Sequence, residues 1–147
     1  MSNTAPELNG RLGHLLKHAQ LRLAELSAEA LAPFGVSGRE LAVLLVLAGQ
    51  EAASQQQVAG RLGVDRTTMV AFLDALEGRD LVARRPDPGD RRRNVVVLTA
   101  KGADTLRRAT EASDAAERRF LAPLSAADAE RFRATLQAVA LHDDASA

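Results

Sequence analysis

The segment Pro-Asp-Pro-Gly-Asp-Arg-Arg-Arg at residues 86–93 constrains the fold more than any other part of the chain. Its prolines, glycine and aspartates favour a turn, and residues 81–85 before it can form a strand. The β-branched run within residues 94–99 also prefers to be a strand. The sequence therefore predicts a β-hairpin with three consecutive arginines at its tip. Guanidinium groups suit phosphates and narrow grooves, although most arginine runs are solvated surface.

Residues 54–77, upstream of this hairpin, have the pattern of a helix, a tight turn and a second helix. Ser54 is a good N-cap for the first helix. Gly63 can adopt the left-handed conformation that ends this helix, and Asp65 can cap the next one. The apolar stripe of the first helix consists of Val58, Ala59 and Leu62. This order of elements is typical of a helix-turn-helix.

The second helix of this pair has an inward and an outward face. The inward stripe repeats at i, i+3, i+4 and i+7 and consists of Met69, Phe72, Leu73 and Leu76. Arg66, Thr67 and Val70 are left outward near the N-terminal end, where a helix-turn-helix presents side chains to the major groove. A plain helical hairpin with a polar face is the alternative. A helix-turn-helix followed closely by a basic hairpin is a more specific pattern than either part alone, and it is typical of a winged helix. It predicts a mainly α fold with a small β-hairpin wing.

A spaced motif begins at the hairpin tip and continues past the second strand. Its residues are Asp90, Arg91, Arg92, Val96, Leu98, Thr99 and Gly102. This pattern resembles the wing signature of the MarR (multiple antibiotic resistance regulator) family. Residues 59–68 and 73–77 are similar to the DNA-binding helices of the same family. The resemblance covers nearly the whole chain. It implies a dimeric regulator, a repressor that binds double-stranded DNA at a pseudo-palindromic operator and is released by a small aromatic or phenolic ligand.

The candidate DNA-contacting residues come from both halves of the winged helix. In the helix-turn-helix they are Ser54, Gln55, Arg66, Thr67, Thr68, Val70 and Ala71, and in the hairpin they are Arg84, Arg85, Asp90, Arg91, Arg92 and Arg93. We expect Arg91 and Arg92 to enter the minor groove. We expect Arg84, Arg85 and Arg93 to contact phosphates.

Three of these candidates need separate interpretation. The resemblance implies that Asp90 holds a neighbouring arginine in a fixed pose, and the alternative is that it only makes the turn.

Val70 and Ala71 are small and apolar where the family often has polar or basic residues. Either one could touch a thymine methyl group, so direct base readout should be sparse and groove shape should supply more of the specificity. The alternative function is a ligand- or protein-binding winged-helix module with weak or lost specific DNA binding.

The charge of the chain is localised rather than high. The 19 basic and 19 acidic residues cancel. Residues 54–99 nevertheless carry eight Arg against six Asp and Glu, a net +2, and residues 84–93 carry five Arg against two Asp, a net +3. This concentration at the hairpin favours a local contact with a polyanion over non-specific coating.

Composition and length restrict the other classes of protein. The chain has no cysteine, which removes disulfides and thiolate metal sites. Its first residues lack the pattern of a signal peptide, and its longest apolar run, residues 41–48, is too short to span a bilayer. We therefore expect one cytoplasmic domain over residues 1–147, without a membrane contact.

Two helical regions, residues 7–32 and 100–142, flank the winged-helix lobe at about residues 38–99. Each region has an apolar stripe that needs a covering surface. They pack either on their own subunit or against the same helices of a second chain. A twofold dimer suits the reading of two half-sites, and the family resemblance implies it as well. The candidate dimerisation residues are Leu8, Leu12, Phe132, Leu136 and Val139.

Metal, cofactor and catalytic sites find little support. His14 and His18 lie four residues apart, as in a two-histidine metal site, but no cysteine or adjacent acidic residue supplies a third ligand. We predict no metal and no cofactor, and a metal-sensing regulator stays a third hypothesis. No phosphate loop, nucleophile elbow or paired-carboxylate signature is present, so we predict no enzyme. For a ligand of the kind that the resemblance implies, the candidate contacts are His14, His18, Arg22 and Phe34.

Overall fold

A winged-helix lobe and four further α-helices make up the described part of the chain, residues 6–49 and 53–144, in a computed structural model. In chain order its elements are α1 (Pro6–Asn9), α2 (Leu12–Leu31), a 3-10 turn (Ala32–Phe34), α3 (Gly38–Ala48), β1 (Ala53–Ser54), α4 (Gln55–Leu62), α5 (Arg66–Gly78), β2 (Val82–Pro86), β3 (Asn94–Leu98), α6 (Ala100–Leu121) and α7 (Ala126–Ala140). The predicted fold class, mainly α with a small β wing, is confirmed.

Side-chain caps set the helix boundaries. At the start of α3, Ser37 Oγ accepts from the Glu40 backbone N–H, and the Glu40 carboxylate accepts from the Ser37 N–H, at 3.1 and 2.9 Å. Ser54 and Gln57 form the same reciprocal box at the start of α4. Gly63 ends α4 with a φ of 64°, the left-handed conformation that the sequence predicts. The N-caps of the three later helices are Asp65, Thr99 and Ser125.

The N-terminal helical region is interrupted, which its apolar pattern does not predict. α1 ends at Asn9 and α2 begins at Leu12. Between them Gly10 donates its backbone N–H to the Glu7 carbonyl at 3.3 Å, a bond over three residues rather than four. Asn-Gly is a strong turn dipeptide, and here it overrides the continuity of the apolar stripe.

The sheet has three antiparallel strands in the order β1-β3-β2. β2 and β3 form the predicted hairpin, in register from Val82 opposite Leu98 to Pro86 opposite Asn94. The two-residue β1 adds Ala53 opposite Val96 on the other edge of β3. Because β1 leads directly into α4, it attaches the start of the helix-turn-helix to the base of the wing.

The core lies where α3, α5, α6 and the sheet meet. Its fully buried large side chains are Leu31, Val43, Leu44, Val58, Met69, Leu73, Leu76, Val82 and Val96. Three of the four residues predicted for the inward stripe of α5 are therefore buried, and Phe72 is half-buried against the edge of the core. This burial fixes how α5 is rotated about its axis, and so which residues it presents to solvent.

The start of α6 approaches the end of the helix-turn-helix closely at Gly102. A Cβ atom at Gly102 would meet the Leu81 carbonyl oxygen well inside van der Waals contact. The Thr99 N–H donates to the same carbonyl at 3.1 Å, and the Thr99 hydroxyl donates to the Asp80 carbonyl. Asp80 itself has a φ of 60°. These contacts give the glycine of the wing signature a steric reason, because only a residue without a side chain permits this approach.

α2 and α6 lie along each other in opposite directions, with Arg22 against Phe120 and Phe34 against Arg108. α7 buries none of its residues. It is linked to α6 by an ion pair between Arg133 and Glu117 at 2.9 Å.

No single helix within residues 6–49 and 53–144 is long and apolar enough to cross a membrane. Only α2 with the 3-10 turn and α3, taken together as a pair bent by 69°, have the necessary length and composition.

Candidate nucleic-acid interface

The N-terminal turns of α5 present a mixed polar and apolar surface. Arg66, Thr67 and Ala71 are exposed, whereas Thr68 and Val70 are half-buried. The outward orientation predicted for Val70 is thus only partial. The cause is the burial of Met69 and Leu73 on either side, which turns the flank that carries Val70 toward the core.

Asp65 holds the first turn of α5. Its Oδ1 accepts from the Thr68 backbone N–H at 2.6 Å. The pKa of Asp65 is lowered by the hydrogen bonds from the Thr68 backbone and side chain. Asp65 is therefore ionised at neutral pH, and it occupies one of the free N–H groups at the helix start. The exposed hydroxyl and guanidinium of Thr67 and Arg66 remain beside it for an outside anion.

The wing tip is organised by its two aspartates. Asp87 Oδ1 accepts from the Gly89 N–H at 2.9 Å, and Asp90 Oδ1 accepts from the Arg92 N–H at 3.0 Å. The Asp87 N–H also donates to the Arg93 carbonyl at 2.9 Å, which closes the loop. These local bonds are the Asx-type turns that aspartate favours. The tip is consequently a folded loop that presents its arginines in a defined arrangement.

The role implied for Asp90 needs correction. Its carboxylate pairs with no guanidinium group among the described residues, and it bonds instead to a backbone N–H. Asp90 therefore makes the turn, which is the alternative interpretation. Its short side chain reaches the main chain two residues ahead, whereas the long side chains of Arg91 and Arg92 extend away into solvent.

Four wing arginines are exposed with unpaired guanidinium groups in the part of the chain that the structure describes. They are Arg85, Arg91, Arg92 and Arg93. A shallow polar groove of about 570 Å³ runs between the wing and the start of α4, and Ser54, Asp87 and Arg93 lie along it. The positive charge of the wing is thus available to a polyanion, beside the exposed start of α5.

Arg84 differs from these four, and its expected contact with a phosphate needs correction. All three nitrogens of its guanidinium group donate inside the protein, to Gln55, Glu77 and Asp74 at 2.9, 2.9 and 2.8 Å. Its side chain is 18% exposed. Gln55, another predicted DNA contact, accepts with its amide oxygen in the same bond. Alternation along β2 explains the difference, since Arg84 and Arg85 face opposite sides of the strand.

The four residues predicted for a ligand do not form one pocket. The rings of His14 and His18 contact each other with centroids 4.2 Å apart. Arg22 donates to the Phe120 carbonyl at 2.7 Å near the end of α6. Phe34 lies under Arg108, which is about 18 Å from Phe120 along the helix at about 1.5 Å per residue.

An apolar groove of about 770 Å³ lies instead between α2, α6 and α7. Its apolar lining includes Leu16, Leu23, Phe120, Phe132 and Leu136. All five predicted dimerisation residues are exposed in the single chain: Leu8, Leu12, Phe132, Leu136 and Val139.

No group of three potential metal ligands occurs among the described residues, so His14 and His18 have no third ligand there.

Comparison with known proteins agrees with this geometry. The sequence model of the MarR family matches residues 34–93, which hold α3, the helix-turn-helix and most of the wing. The transcriptional repressor NicR of Pseudomonas putida is 30% identical over 106 residues, which are 72% of this chain and 67% of NicR. The chain belongs to the MarR family. It is thus a member of a family of transcriptional regulators with a winged helix-turn-helix.

Two solved structures extend the likeness of this MarR-family chain to nearly its whole length. The transcriptional repressor CouR bound to a 23-mer DNA duplex superposes with a TM-score of 0.86 at 37% identity, over 91% of this chain and 95% of the other. CouR from Rhodococcus jostii RHA1 bound to p-coumaroyl-CoA gives a TM-score of 0.80 at 31% identity, over 92% and 96%. The neighbours therefore include one state with DNA and one with a ligand.

Asp74 and Glu77 were not predicted from the sequence, although they fix Arg84. A usable signal exists, because two acidic residues one helical turn apart on α5 precede a basic residue in the following strand.

The short strand β1 was not predicted either. A two-residue strand has no periodicity to detect, and it exists because β3 has a free edge beside it.

Proposed function

We propose that this MarR-family protein is a homodimeric repressor that binds a pseudo-palindromic operator and is released by a small aromatic ligand. The observation that carries the proposal is the group of four wing guanidinium groups without partners among the described residues, next to the exposed start of α5. A winged helix with this surface reaches the major groove with a helix and the adjacent minor groove with the wing. The proposal assigns no catalytic step to the chain and places it in the cytoplasm.

The residues divide by role on the DNA. Arg91 and Arg92 extend from the tip toward the minor groove, and Arg85 and Arg93 lie nearer the strands and contact phosphates. On α5 the candidates at the helix start are Arg66, Thr67 and Thr68. The small apolar candidates are the exposed Ala71 and the half-buried Val70. Ser54 and Gln55 support the start of α4 beside the wing.

A dimer follows from the exposed apolar surface. α7 buries no residue on its own chain, and Leu12 and Val139 are among the most exposed large apolar residues. Contiguous apolar surface of this kind is covered by a partner in soluble proteins. We assign the groove between α2, α6 and α7 to the corresponding helices of a second copy, so that a twofold axis relates the two wings.

The ligand acts by favouring one spacing of the two α5 helices over another. CouR binds p-coumaroyl-CoA, and this supports an aromatic acid or its thioester as the class of ligand. The ligand-binding residues remain a proposal. His14 and His18 are kept as candidates, whereas Arg22 and Phe34 already make the contacts that join α2 and the 3-10 turn to α6.

A titration with the upstream region of the protein's own gene tests this function. The labelled promoter fragment and a scrambled duplex of equal length are titrated at two salt concentrations, without and with p-coumaroyl-CoA. We expect tighter binding to the promoter at both salts, a steep fall of affinity with salt, and release by the thioester. Equal affinity for both duplexes would favour the second candidate, a module with lost specific DNA binding, which the small exposed Ala71 supports.

A further inference from the structure

The Arg84 guanidinium group binds three side chains of the winged helix, and DNA contact does not explain its position. Its Nε donates to Gln55 Oε1 at 2.9 Å, its Nη1 to Glu77 Oε1 at 2.9 Å and its Nη2 to Asp74 Oδ1 at 2.8 Å. The second Glu77 oxygen accepts from the Arg84 backbone N–H at 3.2 Å. Three of its five N–H donors are used in this way and the side chain is only 18% exposed, so the guanidinium group is held by the protein rather than presented to a phosphate.

Arg84 and its partners belong to three elements of the winged helix. Arg84 lies on β2, opposite Val96 of β3, and so at the base of the wing. Gln55 is the first residue of α4, and Asp74 and Glu77 lie one turn apart on α5. One guanidinium group therefore fixes the wing against both helices of the helix-turn-helix.

We propose that Arg84 is a specificity-determining positioning residue, which sets the angle between the wing and α5 without touching DNA. Base edges accept a side chain only in a narrow range of positions, whereas a phosphate accepts a basic side chain from many directions. Release of the fixed angle therefore lowers affinity for the operator more than affinity for random DNA. The inference rests on the proposed function as a sequence-specific regulator.

Arginine is required here because of its shape rather than its charge. Its planar group presents donors in several fixed directions, and lysine offers a single ammonium at the end of a flexible chain. Lysine at position 84 keeps the net charge but reaches at most part of the Gln55, Asp74 and Glu77 set. The adjacent Arg85 is exposed on the opposite face of β2 without a partner among the described residues, so Arg85→Lys is a matched control.

The test compares Arg84→Lys and Arg85→Lys in the full-length protein. Affinities for the promoter fragment and for a scrambled duplex are measured at several salt concentrations, together with the melting temperature and the sedimentation of each variant. We expect Arg84→Lys to lower the ratio of promoter to scrambled affinity about tenfold or more. Its salt slope and scrambled affinity stay at wild-type values. Arg85→Lys, at a proposed phosphate contact, changes the affinities for both duplexes by the same factor and leaves their ratio at the wild-type value.

A second variant separates positioning from electrostatics. Asp74→Ala removes one arm of the network from an exposed position, where the side chain is 62% accessible. Removal of an acidic group beside DNA raises affinity on electrostatic grounds alone, whereas the positioning role predicts a lower affinity for the promoter. A wild-type ratio in Arg84→Lys, with or without a lower melting temperature, overturns the inference, and so does tighter promoter binding by Asp74→Ala. If the wild type binds the promoter fragment and the scrambled duplex with equal affinity, the result contradicts the proposed function itself rather than the role of Arg84.

Discussion

At the scale of single residues, Gly102 shows how a signature position acquires a physical reason. The sequence places a glycine at a fixed offset after the wing but gives no cause for it. The structure supplies the cause, since the helix start passes directly over the Leu81 carbonyl. No local pattern predicts this contact, because it joins residues that meet only after β2 and β3 have paired.

Gly102→Ala should lower the free energy of unfolding by about 1–3 kcal/mol, because the new methyl group forces α6 away from Leu81. Gly60→Ala is the control. Gly60 lies inside α4 with open space around its Cα, so alanine there should raise the free energy of unfolding by about 0.5–1 kcal/mol. Chemical denaturation of both variants measures the two effects. Equal stability of Gly102→Ala and wild type would mean that α6 does not approach Leu81 as described.

Asp90 gives a second test at the residue scale. Asp90→Asn keeps an oxygen that accepts from the Arg92 N–H, whereas Asp90→Ala removes it and loosens the tip. We expect Asp90→Ala to weaken promoter binding several-fold, because ordering the tip then costs entropy on binding. Asp90→Asn should bind at least as tightly as wild type, since it also removes a negative charge near DNA. Weak binding by both variants would restore the implied arginine pair as the role of this carboxylate.

At the scale of elements, local signals predict the helix ends better than the helix continuity. Ser54, Gly63 and Asp65 all act as the sequence predicts, because capping depends on a few adjacent residues. The division between α1 and α2, the short β1 and the network of Arg84 were not predicted. Each depends on tertiary contacts or on a turn that competes with an apolar stripe, and periodicity alone does not report such competition.

The exposed face of α7 leads to a prediction about assembly. Leu136→Glu should dissociate the dimer, because it places a charge on a surface that the partner covers. Leu45→Glu is matched to it, since Leu45 lies on α3 outside the groove and is 49% exposed against 41% for Leu136. Sedimentation should show a monomer for the first variant and a dimer for the second. A dimeric Leu136→Glu protein would place the interface on another face.

At the scale of the whole molecule, a chain of zero net charge presents a basic wing because its charges are unevenly placed. The aspartates at the wing tip accept hydrogen bonds from backbone N–H groups of the same loop, and the exposed arginines are left without partners among the described residues. Net charge therefore underestimates how strongly this protein attracts DNA at one place. The candidate DNA site was largely predictable because it is a local segment, whereas the ligand candidates came from distant segments that the fold does not bring together.

The most direct measurement of the central claim is the salt dependence of promoter binding by the double variant Arg91→Ala with Arg92→Ala. We expect an intact dimer with weaker binding, and a salt slope lower by about 0.9 for each phosphate that the wing no longer neutralises. The control replaces Arg107 and Arg108 on α6, which are also exposed and consecutive, and their replacement by alanine should leave the slope unchanged. A wing variant that binds the promoter as tightly as wild type, with the same slope, would contradict the assignment of the wing to DNA.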